Sequence, residues 1–277
     1  MDIQPEIMSP RHRCYFTPIL WRPFPALEGK HAAEWDRLRS FFAAARKGRF
    51  DVLGALPDLY ITLKDAATRR FARNLLGDAG MDAHLESVEN FILNNPLNIN
   101  DVCDFCRSLG LWGRLSGIMP ILTAYDRNFP GQPGEGLPAY LTTILEPEFG
   151  PAADYPREDT LEAFSKYETG VSILYEDCVK RLGGSKTYVF FGEEFGVRRL
   201  AERFLELLGL SRYEIMMRSY LRQRFEASTG IDCSDFYKNG DFQYLTAAER
   251  LETWLESQES ERFAHGERYF FGHRIPR

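Results

Sequence analysis

Five cysteines in 277 residues (Cys14, Cys103, Cys106, Cys178 and Cys233) are too few, and odd in number, for a disulfide framework. No apolar run approaches the roughly 20 residues that a membrane-spanning helix needs. The opening MDIQPEIMSPRHRCYF lacks the apolar core of a secretory signal, so the expected compartment is the cytoplasm. Catalytic signatures are missing as well: there is no GxSxG, no GxxxxGK[ST] and no HExxH. The histidines His12, His31, His84, His265 and His273 are scattered, with no pair at helical metal-ligand spacing. Cys103-Asp-Phe-Cys106 is a lone CxxC, and Val102, Cys106 and Leu109 continue one helical apolar stripe, so it reads as core. No cofactor, metal or catalytic residue is expected.

What is present is a globular composition, 44% hydrophobic and 27% charged, which excludes a disordered chain. The net charge of −6 is unevenly spread: residues 1–50 carry nine Lys/Arg against five Asp/Glu, residues 51–170 nine against eighteen, and residues 171–277 sixteen against seventeen. An acidic middle disfavours nucleic acid as a partner, because phosphate binding needs a basic footprint. It suits a basic protein.

The hydrophobic spacing is helical almost throughout. In Asp51–Gly80, Val52, Leu53, Leu56, Leu59, Tyr60 and Leu63 form one stripe, and Ala67, Phe71, Ala72, Leu75 and Leu76 a second. Asp65 is placed to cap the second helix, and Gly77 to end it in the left-handed conformation. Lys30–Ala45, Met81–Asn94, a segment from Asp101 to Gly110, Leu115–Tyr125, Leu137–Leu145, a long run from Thr160 to Gly183, Tyr213–Phe225 and Thr246–Ser257 read as further helices. Pro120 should kink or shorten its helix. Thr187–Phe191 is strand-like but isolated, and is expected to be an extended connector or the start of a helix.

The chain is expected to divide into an N-terminal arm and capping helix (1–50), helix pairs (51–146), a loop or hinge (147–159) and a C-terminal helical half (160–277). The arm is proline-interrupted and the chain closes on an aromatic tail, Tyr269-Phe270-Phe271-Gly272, expected to seal the last helices or to dock elsewhere.

Leu56-x-x-Leu59, a turn with Asp65, then Arg69/Arg70, Ala72 and Leu75-Leu76-Gly77, resembles a HEAT-type repeat. Asp101 to Gly110 matches it in part, and Val197-Arg-Arg-Leu-Ala201 running to Leu207-Leu208-Gly209 resembles its second helix again. Gly77 and Gly110 lie 33 residues apart, a period suited to stacked helix pairs. The resemblance implies an all-α fold, an irregular HEAT-like α-α solenoid of stacked antiparallel helix pairs. The size, the acidic middle and the drifting repeats are further similar in style to cytoplasmic immunity proteins of bacterial polymorphic-toxin systems. That likeness implies a non-enzymatic protein that neutralises a toxin by binding a basic toxin domain. The candidate partner-binding acids are Glu86, Glu89, Asp101, Asp104 and Asp126. Two rival readings are a general scaffold or adaptor, and a helical hydrolase-type enzyme built from scattered carboxylates.

Overall fold

Amphipathic runs become helices wherever a polar cap or a glycine bounds them. The structure is a computed structural model that describes residues 15–16, 32–63, 65–95, 99–128, 141, 143–145, 160–208, 215–238 and 241–277. The described residues are mostly helical: α1 (Ala32–Ala45), α2 (Leu56–Thr62), α3 (Ala66–Ala79), α4 (Asp82–Asn94), α5 (Ile99–Trp112), α6 (Ile118–Asn128), α7 (Leu161–Leu182), α8 (Val197–Leu208), α9 (Ile215–Thr229) and α10 (Tyr244–Glu256). Residues 141 and 143–145 are helical too. Three two-stranded antiparallel hairpins join them: β1 (Val189–Phe190) with β2 (Glu193–Glu194), β3 (Tyr237–Lys238) with β4 (Asp241–Phe242), and β5 (Tyr269–Phe270) with β6 (His273–Arg274). No helix among the described residues is long and apolar enough to cross a membrane.

The chain forms two compact units that interleave in sequence. Unit 1 comprises residues 1–52, 63–71 and 196–275; unit 2 comprises 53–62, 72–195 and 276–277. In unit 1, α8 packs on both α9 and α10, and β5 lies against α9. In unit 2, α4, α5 and α6 pack on one another. Phe204, Phe225, Phe236 and Leu251 are fully buried in the first; Leu85, Val88, Leu109 and Ile118 in the second. Each such side chain contributes about 1.5–3 kcal/mol relative to exposure.

Several local expectations hold. Asp65 accepts the Thr68 N–H at 2.8 Å and so caps α3. Thr160 caps α7, accepting from the Ala163 N–H at 3.1 Å, and Gly183 at φ 80° ends it. Pro120 falls in the first turn of α6, where its missing N–H costs no intrahelical bond. Cys106 is buried in α5.

The two Leu-Gly markers are not helix ends. Helix α3 runs through Gly77, where a Cβ would come within 2.7 Å of the Ser108 carbonyl oxygen and of the Leu111 Cβ. Gly77 is a contact glycine that lets α3 and α5 approach closely. Helix α5 likewise runs past Gly110, and the left-handed residue after it is Gly113, at φ 69°. Gly209, the C-terminal tail of the third match, and the loop 147–159 lie outside the described residues.

The strand-like run Thr187–Phe191 is neither connector nor helix: it opens the β1–β2 hairpin. Its turn, Phe191-Gly192, has φ of 50° and 75°, and the β5–β6 turn, Phe271-Gly272, has 50° and 76°. Both are primed hairpin turns, in which two successive residues take positive φ. Each also docks on a helical segment. Phe191 and Gly192 donate their N–H groups to Thr143 and Ile144 carbonyls, both at 2.7 Å; Phe271 and Gly272 donate to Ala227 and Ser228, at 2.6 and 2.9 Å. The carbonyls of a last helical turn lack intrahelical donors. The Phe271-Gly272 turn supplies them at the end of α9, and the Phe191-Gly192 turn bonds helical carbonyls in the same way, which explains a non-glycine residue held in a conformation costing about 1–3 kcal/mol. The aromatic tail thus folds back as β5–β6. Of the expected N-terminal arm, Tyr15 and Phe16 are described, and Tyr15 is buried.

Candidate functional site

Helix α4 opens on Asp82 and continues with Glu86 and Glu89, at positions i, i+4 and i+7. That spacing aligns three carboxylates on one face. Asp82 sits in the first turn, where the helix dipole also favours a negative charge. Across from them α5 ends in Trp112, left-handed Gly113 reverses the chain, and Arg114 follows immediately. Backbone bonds hold this corner against the first hairpin: Val189 N–H donates to Gly113 at 2.7 Å, and Leu115 N–H to Thr187 at 3.1 Å. The same pairing brings Tyr188 in.

Arg114 is the centre of the resulting cluster. Its side chain is only 4% exposed, and its Nη1 lies 3.0 Å from Asp82 Oδ2 and 2.9 Å from Glu86 Oε1. Its guanidinium also lies over the Trp112 ring, 5.0 Å from the centroid. Asp82 Oδ1 accepts from Trp112 Nε1 at 2.8 Å and from the Tyr188 hydroxyl at 2.7 Å. Arg277 lies over the Tyr188 ring at 5.6 Å.

Glu89 is treated differently from its neighbours. Its Oε1 is buried with no hydrogen-bond partner among the described residues. Burial raises its pKa to about 7; Arg114 pulls against that shift, while the charges of Glu86 and Asp82 add to it. Three carboxylates therefore gather about one guanidinium, two engaged with it and the third held by burial well above the ordinary carboxylate range.

The five acids singled out from the sequence do not form one face. Glu86 and Glu89 lie together in this cluster. Asp104, on α5, accepts from the Tyr60 hydroxyl at 2.9 Å and pairs with the buried Arg73, so its charge is used inside unit 2. Asp101 is half-buried one turn earlier. Asp126 is exposed on α6, and Glu168 of α7 has its pKa raised by burial first and by Asp126 second. The sequence pattern does not single out Asp82, Trp112, Arg114 or Tyr188. The i, i+4, i+7 spacing of Asp82 was legible on α4. Tyr188 lies 106 residues from Asp82, and no local pattern links them.

Comparison with protein-family models, with curated proteins and with solved structures finds no match. Among the described residues no group of three or more His, Cys, Asp or Glu side chains is arranged to hold a metal ion. A carboxylate surplus around a buried arginine is suited to accept a further cationic group, and a carboxyl poised near neutrality is suited to exchange a proton.

Proposed function

We propose that the protein is a protein-binding module whose contact with a basic partner centres on Glu86 and Glu89, and that it serves as an immunity protein neutralising a cognate toxin. The observation that carries this reading is the buried Glu89 Oε1, without a hydrogen-bond partner among the described residues, beside a guanidinium already shared by Asp82 and Glu86. A partner's lysine or arginine docking on half-exposed Glu86 would offset the surplus charge of the cluster. Half-exposed Glu86 would contribute chiefly to partner choice and association rate, as rim charges do. In this reading the helices form an irregular HEAT-like stack of antiparallel pairs, and unit 2 presents the acidic side of one pair.

Capture from the native cell with the wild-type chain and with Glu86→Lys/Glu89→Lys tests this. The expected result is a basic partner held by the first and lost by the second, with thermal unfolding showing the second still folded at the temperature of capture. That partner should be toxic when expressed alone and harmless when coexpressed with the wild-type chain. A partner that is not toxic would leave a scaffold and remove the immunity role. Equal retention by both chains would remove the Glu86–Glu89 site.

One observation favours an enzyme instead: a carboxyl with a pKa of about 7 has the value that general acid–base catalysis uses at neutral pH. Turnover of a small substrate by the purified chain, abolished by Glu89→Gln, would decide for that reading.

A further inference from the structure

Glu86 and Glu89 stand one turn apart on α4 in different surroundings. The Glu86 side chain is 52% exposed, and its Oε1 lies on Arg114. The Glu89 Oε1 is buried, with no hydrogen-bond partner among the described residues. It points into the corner after α5: a Cβ on Gly117, in the turn Leu115–Gly117, would lie 3.5 Å from it and 3.7 Å from the Trp112 ring. On ionisation that oxygen gives up water with no donor in exchange, so the neutral carboxyl is favoured. Glu226 of α9 in unit 1, which accepts the Tyr15 backbone N–H, is 0% exposed. Glu89 differs from it in standing beside a carboxylate that an outside charge can touch.

We propose, on the basis of the basic-partner reading of this site, that a partner's cation docking on Glu86 expels the proton of Glu89 to water, so that proton release and partner binding are coupled. The charges that act on Glu89 set the direction. Glu86 and Asp82, on its own helix, disfavour its ionisation, and Arg114, from the segment after α5, favours it. The helices packed on α4 carry Asp58 on α2, Asp101, Asp104 and Arg107 on α5, and Asp126 on α6. Of these, Asp104 is engaged with Arg73, and Asp126 acts on Glu168 of α7. His84 shares α4 and accepts the Met81 N–H with its Nδ1. A cation seated on Glu86 offsets the repulsion from that carboxylate and adds an attraction one turn from Glu89.

Burial holds the Glu89 carboxyl at about 7, so its ionisation near neutral pH responds to a nearby charge. Docking shifts it toward the carboxylate: the O–H bond breaks, the electron pair stays on Glu89 and the proton passes to water. Linkage is reciprocal, so a cation that favours the ionised form is itself bound more tightly by that form. At low pH binding must expel the proton, and at high pH the carboxylate is already present. Affinity for a basic partner should therefore rise with pH through about 7. Lysine and arginine stay charged across that range.

A fluorophore-labelled hexalysine peptide probes the site on the full chain, by anisotropy at pH 6 and pH 8 and at low ionic strength, where screening is weak. The expected gain in wild-type affinity from pH 6 to pH 8 exceeds that of Glu89→Gln by about threefold or more, since the variant keeps the side-chain shape and cannot ionise. Glu86→Gln should weaken binding at both pH values. Equal gains in wild type and Glu89→Gln overturn the proton coupling, and if Glu86→Gln still weakens binding the acidic site stands without it. No binding by the wild type, or binding that Glu86→Gln leaves unchanged, overturns the acidic site and the coupling together. If Glu89→Gln does not fold, carbon-13 NMR of the wild-type Glu89 carboxyl decides. Hexalysine should lower its titration midpoint by about half a pH unit or more, the equivalent of that threefold gain. An unmoved midpoint overturns the proposal.

Discussion

Arg114 and Asp82 meet at 3.0 Å, joining the second residue after α5 to the first residue of α4. This pair fixes the corner of unit 2 on which the acidic site is built. Arg114 is 4% exposed, so removing it leaves Asp82, Glu86 and Glu89 facing one another without a counter-charge. Arg114→Met should cost about 3–5 kcal/mol, the range for breaking one side of a buried pair. Urea unfolding checks this, and Arg114→Lys should recover only part of the loss, since a single ammonium replaces a planar fork.

Glu89 should make the stability of unit 2 depend on pH in a definite direction. Its native pKa of about 7 lies above the ordinary carboxylate value of 4.5, so the folded state binds the proton more tightly than the unfolded one. Stability is greatest with respect to this group below pH 4.5, and falls as pH rises from there through about 7. Glu89→Gln should therefore raise the thermal midpoint at pH 8 relative to wild type and leave a smaller difference at pH 5. A larger gain at pH 5 than at pH 8 would contradict the assignment.

Asp104 should behave as a structural residue. Reversal to Lys places an ammonium against Arg73 and removes the acceptor of the Tyr60 hydroxyl. We expect Asp104→Lys to destabilise by about 3 kcal/mol or more. Asp126→Lys, at an exposed position, should change stability by no more than about 0.5 kcal/mol. Parallel denaturant titrations of the two variants test the contrast.

Gly77 should tolerate no side chain. A Cβ there would sit 2.7 Å from the Ser108 carbonyl oxygen, and backbone cannot swing aside as a flexible side chain could. Gly77→Ala should cost about 1–3 kcal/mol by overpacking, despite alanine's better helix propensity. A stabilised variant would show that the α3–α5 contact is looser than described.

The two Phe-Gly turns should respond alike. Gly192→Ala and Gly272→Ala each force alanine to φ near 75°, at a cost of about 1–2 kcal/mol. Thermal unfolding of the two variants checks whether the hairpins contribute equally to their units.

The sequence by itself determined most of the helices, because their signal is local. Stripe spacing, the Asp65 and Thr160 caps and the Gly183 stop depend on residues within one or two turns of each other. It also placed Glu86 and Glu89 on one surface, for the same reason. Only the tertiary structure decided what the glycines and aromatics were for. Gly77 reads as a helix end until Ser108 is seen against it, and Thr187–Phe191 has no visible strand partner until Gly192 turns the chain back. Both Phe-Gly turns take their meaning from helix carbonyls elsewhere in the chain. Tyr188 reaches Asp82, and Tyr15 reaches Glu226, across separations of 106 and 211 residues, where no periodicity carries information. Burial is likewise a property of the packed chain. It raises Glu89 and Glu226 furthest among the described acids, to about 7 and about 8, through the water they have lost.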